Sequence, residues 1–312
     1  MNINDYFMTF NDRNVNSIID EISKSSYHKF NGKDLNLRKK EIAHLSIIDS
    51  TFRSIVPLKI KNQFVGVIED KCSKVFHHNN QGIWKTLVPC YINLDTGFKI
   101  WDIITSNKYK SVLNFGTGWG SSLIYSSIGL SKNGGGKIIT IEHIPLFTEI
   151  SKYIYDFTLD LGMPLVDMVD YINCDIIPFK NHNLYNSCER FVKSKHFKKR
   201  LINRKTKHEM SAYNVNFNEK FDFAIIDGPP FFRFPSFLMA LNFVKDDGTI
   251  LFEGCRQEVA ILKSLNIKLG EYGRRMRKKI KFVIGSKKNR YDIYSTSFLK
   301  VTKKIKEYFL EL

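Results

Sequence analysis

The hydrophobic pattern of the chain changes at Lys110. Up to about residue 105, helix-like patches alternate with polar loops, whereas from Lys110 onward short apolar runs are separated by segments long enough for a helix. Strands that alternate with helices favour a parallel sheet covered on both faces. The runs typical of strands are "SVLNF", "KIITIEH", "VDYINCD", "FDFAIID", "GTILFEG", "KFVIG" and "DIYSTSF".

The last two runs break this alternation. "KKIKFVIG" and "RYDIYSTSFLKV" are joined only by "SKKN", which is too short for the crossover that parallel neighbours need, so we expect an antiparallel hairpin. The sequence therefore predicts an α/β domain over residues 106–312, with a doubly wound, seven-stranded, mostly parallel sheet and a C-terminal antiparallel hairpin. Residues 1–105 are expected to form a helical or mixed cap. A basic insertion at about 178–220 is expected to carry an extra helix or a flap.

The composition is that of an ordinary globular protein, with 43% hydrophobic and 25% charged residues in a chain of 312. No apolar run reaches the roughly 18 residues that a membrane span needs, and residues 1–10 lack the order of a signal peptide. These observations predict a cytoplasmic protein without a membrane span. The five cysteines form no CxxC pair, which argues against a disulfide framework and against a zinc site.

The net charge of +17 is the unusual quantity. Such an excess favours an anionic partner, such as RNA or a phosphorylated glycan. The basic residues concentrate in "ERFVKSKHFKKRLINRKTKH" and "GRRMRKKIKFVIGSKKNR". The chain is also rich in Lys, Asn, Ile, Phe and Tyr, a bias that an AT-rich genome imposes on its proteins. The positive charge is therefore explained either by an anionic partner or by this compositional bias. The sequence does not predict the oligomeric state.

A glycine turn, "LNFGTGWGSSL", follows the first predicted strand. Its glycines, Gly116, Gly118 and Gly120, precede a helix-like segment. Glycine permits positive φ and close approach of a ligand, while a helix N-terminus presents unpaired N–H groups. The turn satisfies GxGxG but not the dinucleotide pattern GxGxxG, because Ser121 takes the sixth position. We expect a nucleotide-type ligand at the carboxyl end of this strand.

Acidic residues end the next three predicted strands. Glu142 ends the second strand, where it can accept hydrogen bonds from ribose hydroxyls. Asp175 ends the third strand, near the expected position of an adenine amino group, and Asp227 ends the fourth. Together with the glycine turn, these acids indicate a site for a nucleoside.

Over about residues 108–300, these motifs and the terminal hairpin resemble the class I S-adenosylmethionine-dependent methyltransferases. The resemblance implies S-adenosylmethionine as cofactor and methyl transfer as activity. In this family an acidic residue often stands where this chain has Asn114. The implied cofactor-binding residues are Asn114, Gly116, Thr117, Gly118, Gly120, Ser121, Glu142, His143, Cys174, Asp175 and Asp227.

Methyl transfer to a hydroxyl also requires that the acceptor lose a proton, which calls for a base or a metal. The candidate catalytic residues are Asp227, His143 and Glu253. Magnesium held by Asp227 and Glu253 is a weaker alternative, since each acid is followed by glycine and the usual acidic pairs are absent. His182 and His208 lie in the insertion and are further candidate bases.

The residues predicted to contact the acceptor are Tyr91, Phe231, Arg233 and Arg256. Two of the three phenylalanines in "IDGPPFFRFP" are expected in the core. The leading hypothesis is O-methylation of a hydroxyl on a small molecule or a glycan. "GPPF" matches the tetrad of amino-group methyltransferases only in part. The alternatives are a methyltransferase that acts on RNA or another nucleic acid, and a catalytically silent binding module with the same fold.

Overall fold

A computed structural model describes most of the chain from residue 92 onward. The described residues are 92, 94–160, 162–194, 210–228, 230–272, 277–279, 290–292 and 296–310. The predictions on Tyr91 and His208, and much of both basic stretches, lie outside them. The boundary predicted at residue 105 stays a prediction.

The chain divides into two compact units. The first unit consists of Met1–Lys108, Thr117–Ile138 and Ile144–Tyr171, and the second of Tyr109–Gly116, Ile139–His143 and Ile172–Leu312. The helices are α1 (Leu94–Ser106), α2 (Ser121–Lys132), α3 (Pro145–Asp160), α4 (Tyr185–Lys193), α5 (Pro230–Phe243), α6 (Arg256–Ser264) and α7 (Lys303–Phe309). Helices α1 to α3 belong to the first unit and α4 to α7 to the second.

In the first unit, α1 and α2 pack at close range. A β-carbon at Gly97 would lie 2.4 Å from the Tyr125 ring, and one at Gly129 would lie 3.0 Å from Ile104. The Asn133 amide donates a hydrogen bond to the Ile104 carbonyl at 3.0 Å. The absence of a side chain at both glycines therefore lets the two helices approach each other.

The strands are β1 (Ser111–Phe115), β2 (Lys137–Glu142), β3 (Met168–Asn173), β4 (Ile176–Pro178), β5 (Ser211–Tyr213), β6 (Phe221–Ile226), β7 (Val244–Phe252), β8 (Gly270–Tyr272), β9 (Arg277–Lys279), β10 (Arg290–Asp292) and β11 (Thr296–Lys300). Seven of them form one sheet in the order β3-β2-β1-β6-β7-β11-β8. Strand β6 pairs in parallel with β1 and β7, whereas β11 runs antiparallel to both β7 and β8. This confirms the predicted mostly parallel α/β sheet with an antiparallel end.

The apolar runs form the centre of the sheet. All five residues of β1 are buried, as are the last four of β6, and runs buried on both faces are typical of parallel strands. Helix α5 packs against β5, β6 and β7. Phe232 and Phe234 on α5 are buried, so the expectation that two of the three phenylalanines belong to the core is confirmed.

The end of the sheet differs from the prediction in one strand. The sheet also contains β8, from "GEY", which the sequence did not predict as a strand, whereas the predicted strand "KFVIG" lies outside the described residues. A β-carbon at Gly270 would lie 2.0 Å from the Phe298 ring, so a side chain there would collide with β11. Strands β9 and β10 form a separate antiparallel pair, with Arg290 opposite Lys279. The antiparallel direction of the C-terminal strands was thus predicted correctly, whereas β8 was not predicted.

The insertion contains the extra helix that its length predicts, namely α4. Strands β4 and β5 pair in antiparallel fashion, with Ile176 opposite Tyr213. His182 lies buried in the turn before α4, where its Nδ1 accepts a hydrogen bond from Leu184 N at 3.1 Å. Burial lowers the pKa of His182. His182 therefore has a structural role before α4, and its role as a candidate base stays a prediction.

No helix in the described ranges is long and apolar enough to cross a membrane.

Candidate functional site

The glycine turn begins where β1 ends. Gly116 has φ of +88°, and a β-carbon there would lie 3.1 Å from Gly228 N. Its own N–H donates to the Ile141 carbonyl of β2 at 3.0 Å. Any other residue would be strained and would collide with the backbone after β6. Gly116 therefore allows the carboxyl ends of strands β1 and β6 to lie close together.

The rest of the turn belongs to the first unit. Gly118 and Gly120 also have positive φ, 52° and 82°, and a β-carbon at Gly120 would lie 2.4 Å from Ser151 Oγ. Thr117 is buried, and the Ser121 hydroxyl accepts a hydrogen bond from Ile92 N at 3.1 Å. Packing within the unit thus constrains this part of the turn.

The Asn114 side chain connects the glycine turn to strand β2 by hydrogen bonds. Its side chain is fully buried, and Nδ2 donates to the Gly116 carbonyl at 3.2 Å and to Thr140 Oγ1 at 3.0 Å. The resemblance implied that Asn114 contacts the cofactor, but in the structure its amide fastens the turn to β2. An asparagine suits this place because its two N–H groups can donate to two acceptors.

Glu142 and His143 lie at the end of β2. Glu142 is 4% exposed, and its Oε1 accepts a hydrogen bond from His143 N at 2.9 Å. The same oxygen lies 2.9 Å from His143 Nδ1. The His143 ring packs against Phe232 and Tyr213, with centroids 5.1 and 6.1 Å apart. The structure thus brings together the predicted ribose-binding acid and the predicted base.

The end of β3 lies beside them. Cys174 N donates to the Glu142 carbonyl at 3.1 Å, and the Asp175 carbonyl accepts from Asn214 N at 2.9 Å. Burial raises the pKa of the Cys174 thiol to about 11, so it stays protonated at neutral pH. Asp175 is exposed. The two residues predicted to flank adenine therefore lie at the same edge of the sheet as Glu142.

Asp227 follows β6 directly. Its N–H donates to the Phe115 carbonyl at 3.1 Å, and its Oδ1 accepts from Gly228 N at 2.6 Å. Desolvation raises the pKa of Asp227 above its ordinary value; the Arg233 guanidinium and the Gly228 N–H oppose this effect, and Glu142 adds to it. A carboxyl whose pKa is raised in this way is a better proton acceptor than an exposed one.

Arg233 links the loops after β6 and β7. Its Nε donates to the Gly228 carbonyl at 2.8 Å, and its Nη1 donates to the Gly254 carbonyl at 2.5 Å. Glu253, which is half-buried and follows β7, donates its N–H to the Ile226 carbonyl at 2.9 Å. The predicted acceptor contact of Arg233 stays a prediction, beside a structural role that the sequence did not indicate.

Two other predicted residues can be placed only in part. Phe231 and Arg256 lie in the first turns of α5 and α6, but their side chains lie outside what the structure describes. Within the described ranges, no group of three or more His, Cys, Asp or Glu residues could hold a metal ion.

Tyr213 is the site residue that the sequence analysis missed. It is the last residue of β5, fully buried, and its ring stacks on Phe232 with centroids 5.1 Å apart and an interplanar angle of 20°. Its hydroxyl has no hydrogen-bond partner among the described residues. A tyrosine that ends a three-residue strand within an insertion carries no periodic signal, so only the folded chain reveals it.

The sheet order decides the fold. In the order β3-β2-β1-β6-β7-β11-β8, with β11 antiparallel to its neighbours, a glycine turn follows β1 and an acid ends β2. The fold is a doubly wound, mostly parallel α/β sheet that ends in antiparallel strands, as the sequence predicts.

No protein family model matches the chain, and no curated protein matches it in sequence. Similar solved structures include an O-methyltransferase from Bacillus cereus in complex with SAH, at 12% identity over 83% of this chain and 100% of the other, with a TM-score of 0.40. A methyltransferase from Podospora anserina bound to SAH is 10% identical over 89% and 100%, with a TM-score of 0.41. A SAM-dependent O-methyltransferase from Thermotoga maritima is 13% identical over 68% and 67%, with a TM-score of 0.39. At such values the fold assignment rests on this chain's own sheet.

Proposed function

We propose that this protein is an S-adenosylmethionine-dependent methyltransferase that acts on a hydroxyl of a small molecule or a glycan. The observation that carries the proposal is the pair of carboxylates, Glu142 and Asp227, at strand ends on either side of Gly116. All three residues belong to the second unit. In a mostly parallel sheet, this edge is where ligands bind.

The chemistry of these residues fits the cofactor. S-adenosylmethionine has a ribose, an ammonium and a sulfonium but no phosphate, and the turn from Gly116 to Ser121 contains no Lys or Arg. The Glu142 carboxylate is suited to accept hydrogen bonds from ribose hydroxyls. Asp227 adds a second carboxylate nearby, which favours a cationic ligand over an anionic one.

When bound, the cofactor supplies a methyl group on a positively charged sulfur. The chain then has to align the acceptor hydroxyl and take its proton. Asp227 is suited to the second task because desolvation raises its pKa. Arg233 keeps the loops after β6 and β7 at a fixed spacing through its two backbone contacts. Asp227 is thereby held at a rigid edge, which favours a defined geometry for proton transfer.

The proposal is tested by titration calorimetry with S-adenosylhomocysteine (SAH), the demethylated cofactor, on the wild type and on Glu142→Gln. This change keeps the shape but removes the charge that strengthens the ribose contacts, so affinity should fall about ten-fold or more. Glu149→Gln, on an exposed face of α3, is the matched control and should bind as the wild type does. If folded wild-type protein binds neither S-adenosylmethionine nor SAH, the proposal is wrong.

A methyl-transfer screen and an RNA-binding assay on the wild-type protein distinguish the proposed function from its two alternatives. A catalytically silent module would bind SAH but transfer no methyl group to any acceptor in a broad screen with radiolabelled cofactor. A nucleic-acid methyltransferase would bind RNA with an affinity that falls steeply as salt rises. We expect transfer to small hydroxylated acceptors and only weak, non-specific RNA binding.

A further inference from the structure

The buried Tyr213 hydroxyl has no hydrogen-bond partner among the described residues, and the Tyr213 ring lies near that of His143, the residue after Glu142. We propose that Tyr213 and Glu142 together bind the two neighbouring hydroxyls of a ribose, with Tyr213 as donor and Glu142 as acceptor. This inference rests on the proposed function, because the ribose is that of the bound cofactor. Because Tyr213 belongs to the insertion at about 178–220, the inference gives this insertion a contact with the ligand.

The first observation is the state of the Tyr213 hydroxyl. The side chain is fully buried, and Oη has no partner among the described residues. A buried polar group left without a hydrogen bond is costly and rare in folded proteins. A ligand that presents an oxygen atom to this hydroxyl would remove the cost.

The second observation is that the backbone fixes Tyr213 beside Glu142. Strand β5 pairs with β4 so that Tyr213 lies opposite Ile176. The next residue, Asn214, donates to the Asp175 carbonyl at 2.9 Å, and Cys174 N donates to the Glu142 carbonyl at 3.1 Å. A chain of backbone hydrogen bonds thus ties the insertion to the ends of β3 and β2.

The third observation is that the ring cannot easily turn away. It stacks on Phe232 at 5.1 Å and lies 6.2 Å from the Phe115 ring and 6.1 Å from the His143 ring, between centroids. A β-carbon at Gly228 would lie 3.5 Å from Tyr213 Oη. The hydroxyl is therefore held near the glycine that follows Asp227.

The charges around Tyr213 define what it can bind. Desolvation, followed by the nearby Glu142, Cys174 and Asp227, raises the pKa of Tyr213 well above its ordinary value. The phenol keeps its proton and acts as a donor. Glu142 and Asp227 would repel an anionic ligand at this position, whereas a neutral diol both donates and accepts. A ribose diol satisfies the carboxylate and the phenol at once.

The experiment compares adenosine, 2′-deoxyadenosine and 3′-deoxyadenosine as probes in titration calorimetry, with SAH as the high-affinity reference. Tyr213→Phe keeps the ring stack and removes only the donor. SAH affinity should fall about 3- to 10-fold. The preference of the protein for adenosine over one of the two deoxynucleosides should fall by a similar factor. A purely structural role would weaken all probes equally and leave these ratios unchanged.

Two further measurements keep the test decisive. Without ligand, Tyr213→Phe should melt at the wild-type temperature or a few degrees above it, because it removes an unsatisfied polar group. Glu142→Gln should reduce the preference for a ribose hydroxyl by itself, so the test does not depend on one variant. Tyr308→Phe, at an exposed position of α7, is the control and should change no ratio.

The outcomes separate the two proposals. If wild-type protein binds SAH and Tyr213→Phe leaves affinity and hydroxyl preference unchanged, the role of Tyr213 is refuted while the proposed function stands. If wild-type protein binds neither SAH nor any adenosine probe, both proposals fail. A selective loss of preference for one hydroxyl in Tyr213→Phe supports the inference.

Discussion

At the scale of single residues, Asp227 tests the mechanism. Asp227→Asn keeps the side-chain shape but removes the carboxylate that would accept the acceptor's proton. We expect SAH affinity within a few-fold of wild type and turnover lower by about 10² or more, since loss of a general base typically costs about 10²- to 10⁴-fold. Calorimetry with SAH and a methyl-transfer assay on an identified acceptor measure the two quantities in parallel.

The alternatives at this scale have distinct signatures. If a chelator abolishes turnover and magnesium restores it, Asp227 and Glu253 act as metal ligands. If Asp227→Asn turns over normally, the base lies elsewhere, and His143, which contacts Glu142, becomes the next candidate.

At the scale of elements, Asp222 holds the starts of β1 and β6 together. Its Oδ2 accepts from Lys110 N at 2.8 Å and Ser111 N at 3.0 Å, and its Oδ1 lies 2.7 Å from Lys245 Nζ. Desolvation alone would raise the pKa of Asp222, but Lys245 and the N–H donors hold it below its ordinary value. The stabilisation that the Asp222 carboxylate contributes is therefore complete when the pH is above the ordinary pKa of aspartate. It is lost as the pH falls through the lowered pKa of Asp222.

Asp222→Asn should reduce the free energy of unfolding by about 1 to 3 kcal/mol at pH 7. As the pH falls through the lowered pKa of Asp222, the two proteins should converge in stability. Urea denaturation at a series of pH values measures the difference. Asp160→Asn, at the exposed end of α3, should show no such trend; a constant difference for Asp222→Asn at all pH values would contradict the explanation.

At the scale of the whole molecule, the second unit is closed by aromatic packing between distant parts of the chain. Phe309 on α7 is fully buried, and its ring centroid lies 4.6 Å from that of Phe191 on α4 and 5.3 Å from that of Phe237 on α5. Phe309→Ala should lower the free energy of unfolding by about 3 to 5 kcal/mol, as loss of a buried aromatic does. Tyr308→Ala, 56% exposed, should cost about 1 kcal/mol or less. Equal losses in urea denaturation would contradict this assignment.

The hydrophobic pattern of the chain was enough to predict the central strands and the acids that end them. Strands buried on both faces appear as apolar runs, so β1, β2, β6 and β7 could be read directly, and the ends of these runs placed Glu142 and Asp227. The parallel arrangement then followed, because helix-length segments separate these strands. Such predictions succeed because the hydrophobic pattern of a segment is a local property.

The polar groups that contact one another could not be predicted from the same pattern and are seen only in the folded chain. Tyr213, the bridging contacts of Arg233 and the amide bonds of Asn114 each depend on a neighbour that the local pattern does not identify. The short strand β8 is defined by the Phe298 ring packed over Gly270 and not by an apolar run. Apolar burial is non-directional and tolerates many partners, whereas a hydrogen bond or a ring stack requires particular atoms at one distance and angle. That geometry exists only once distant segments have packed together.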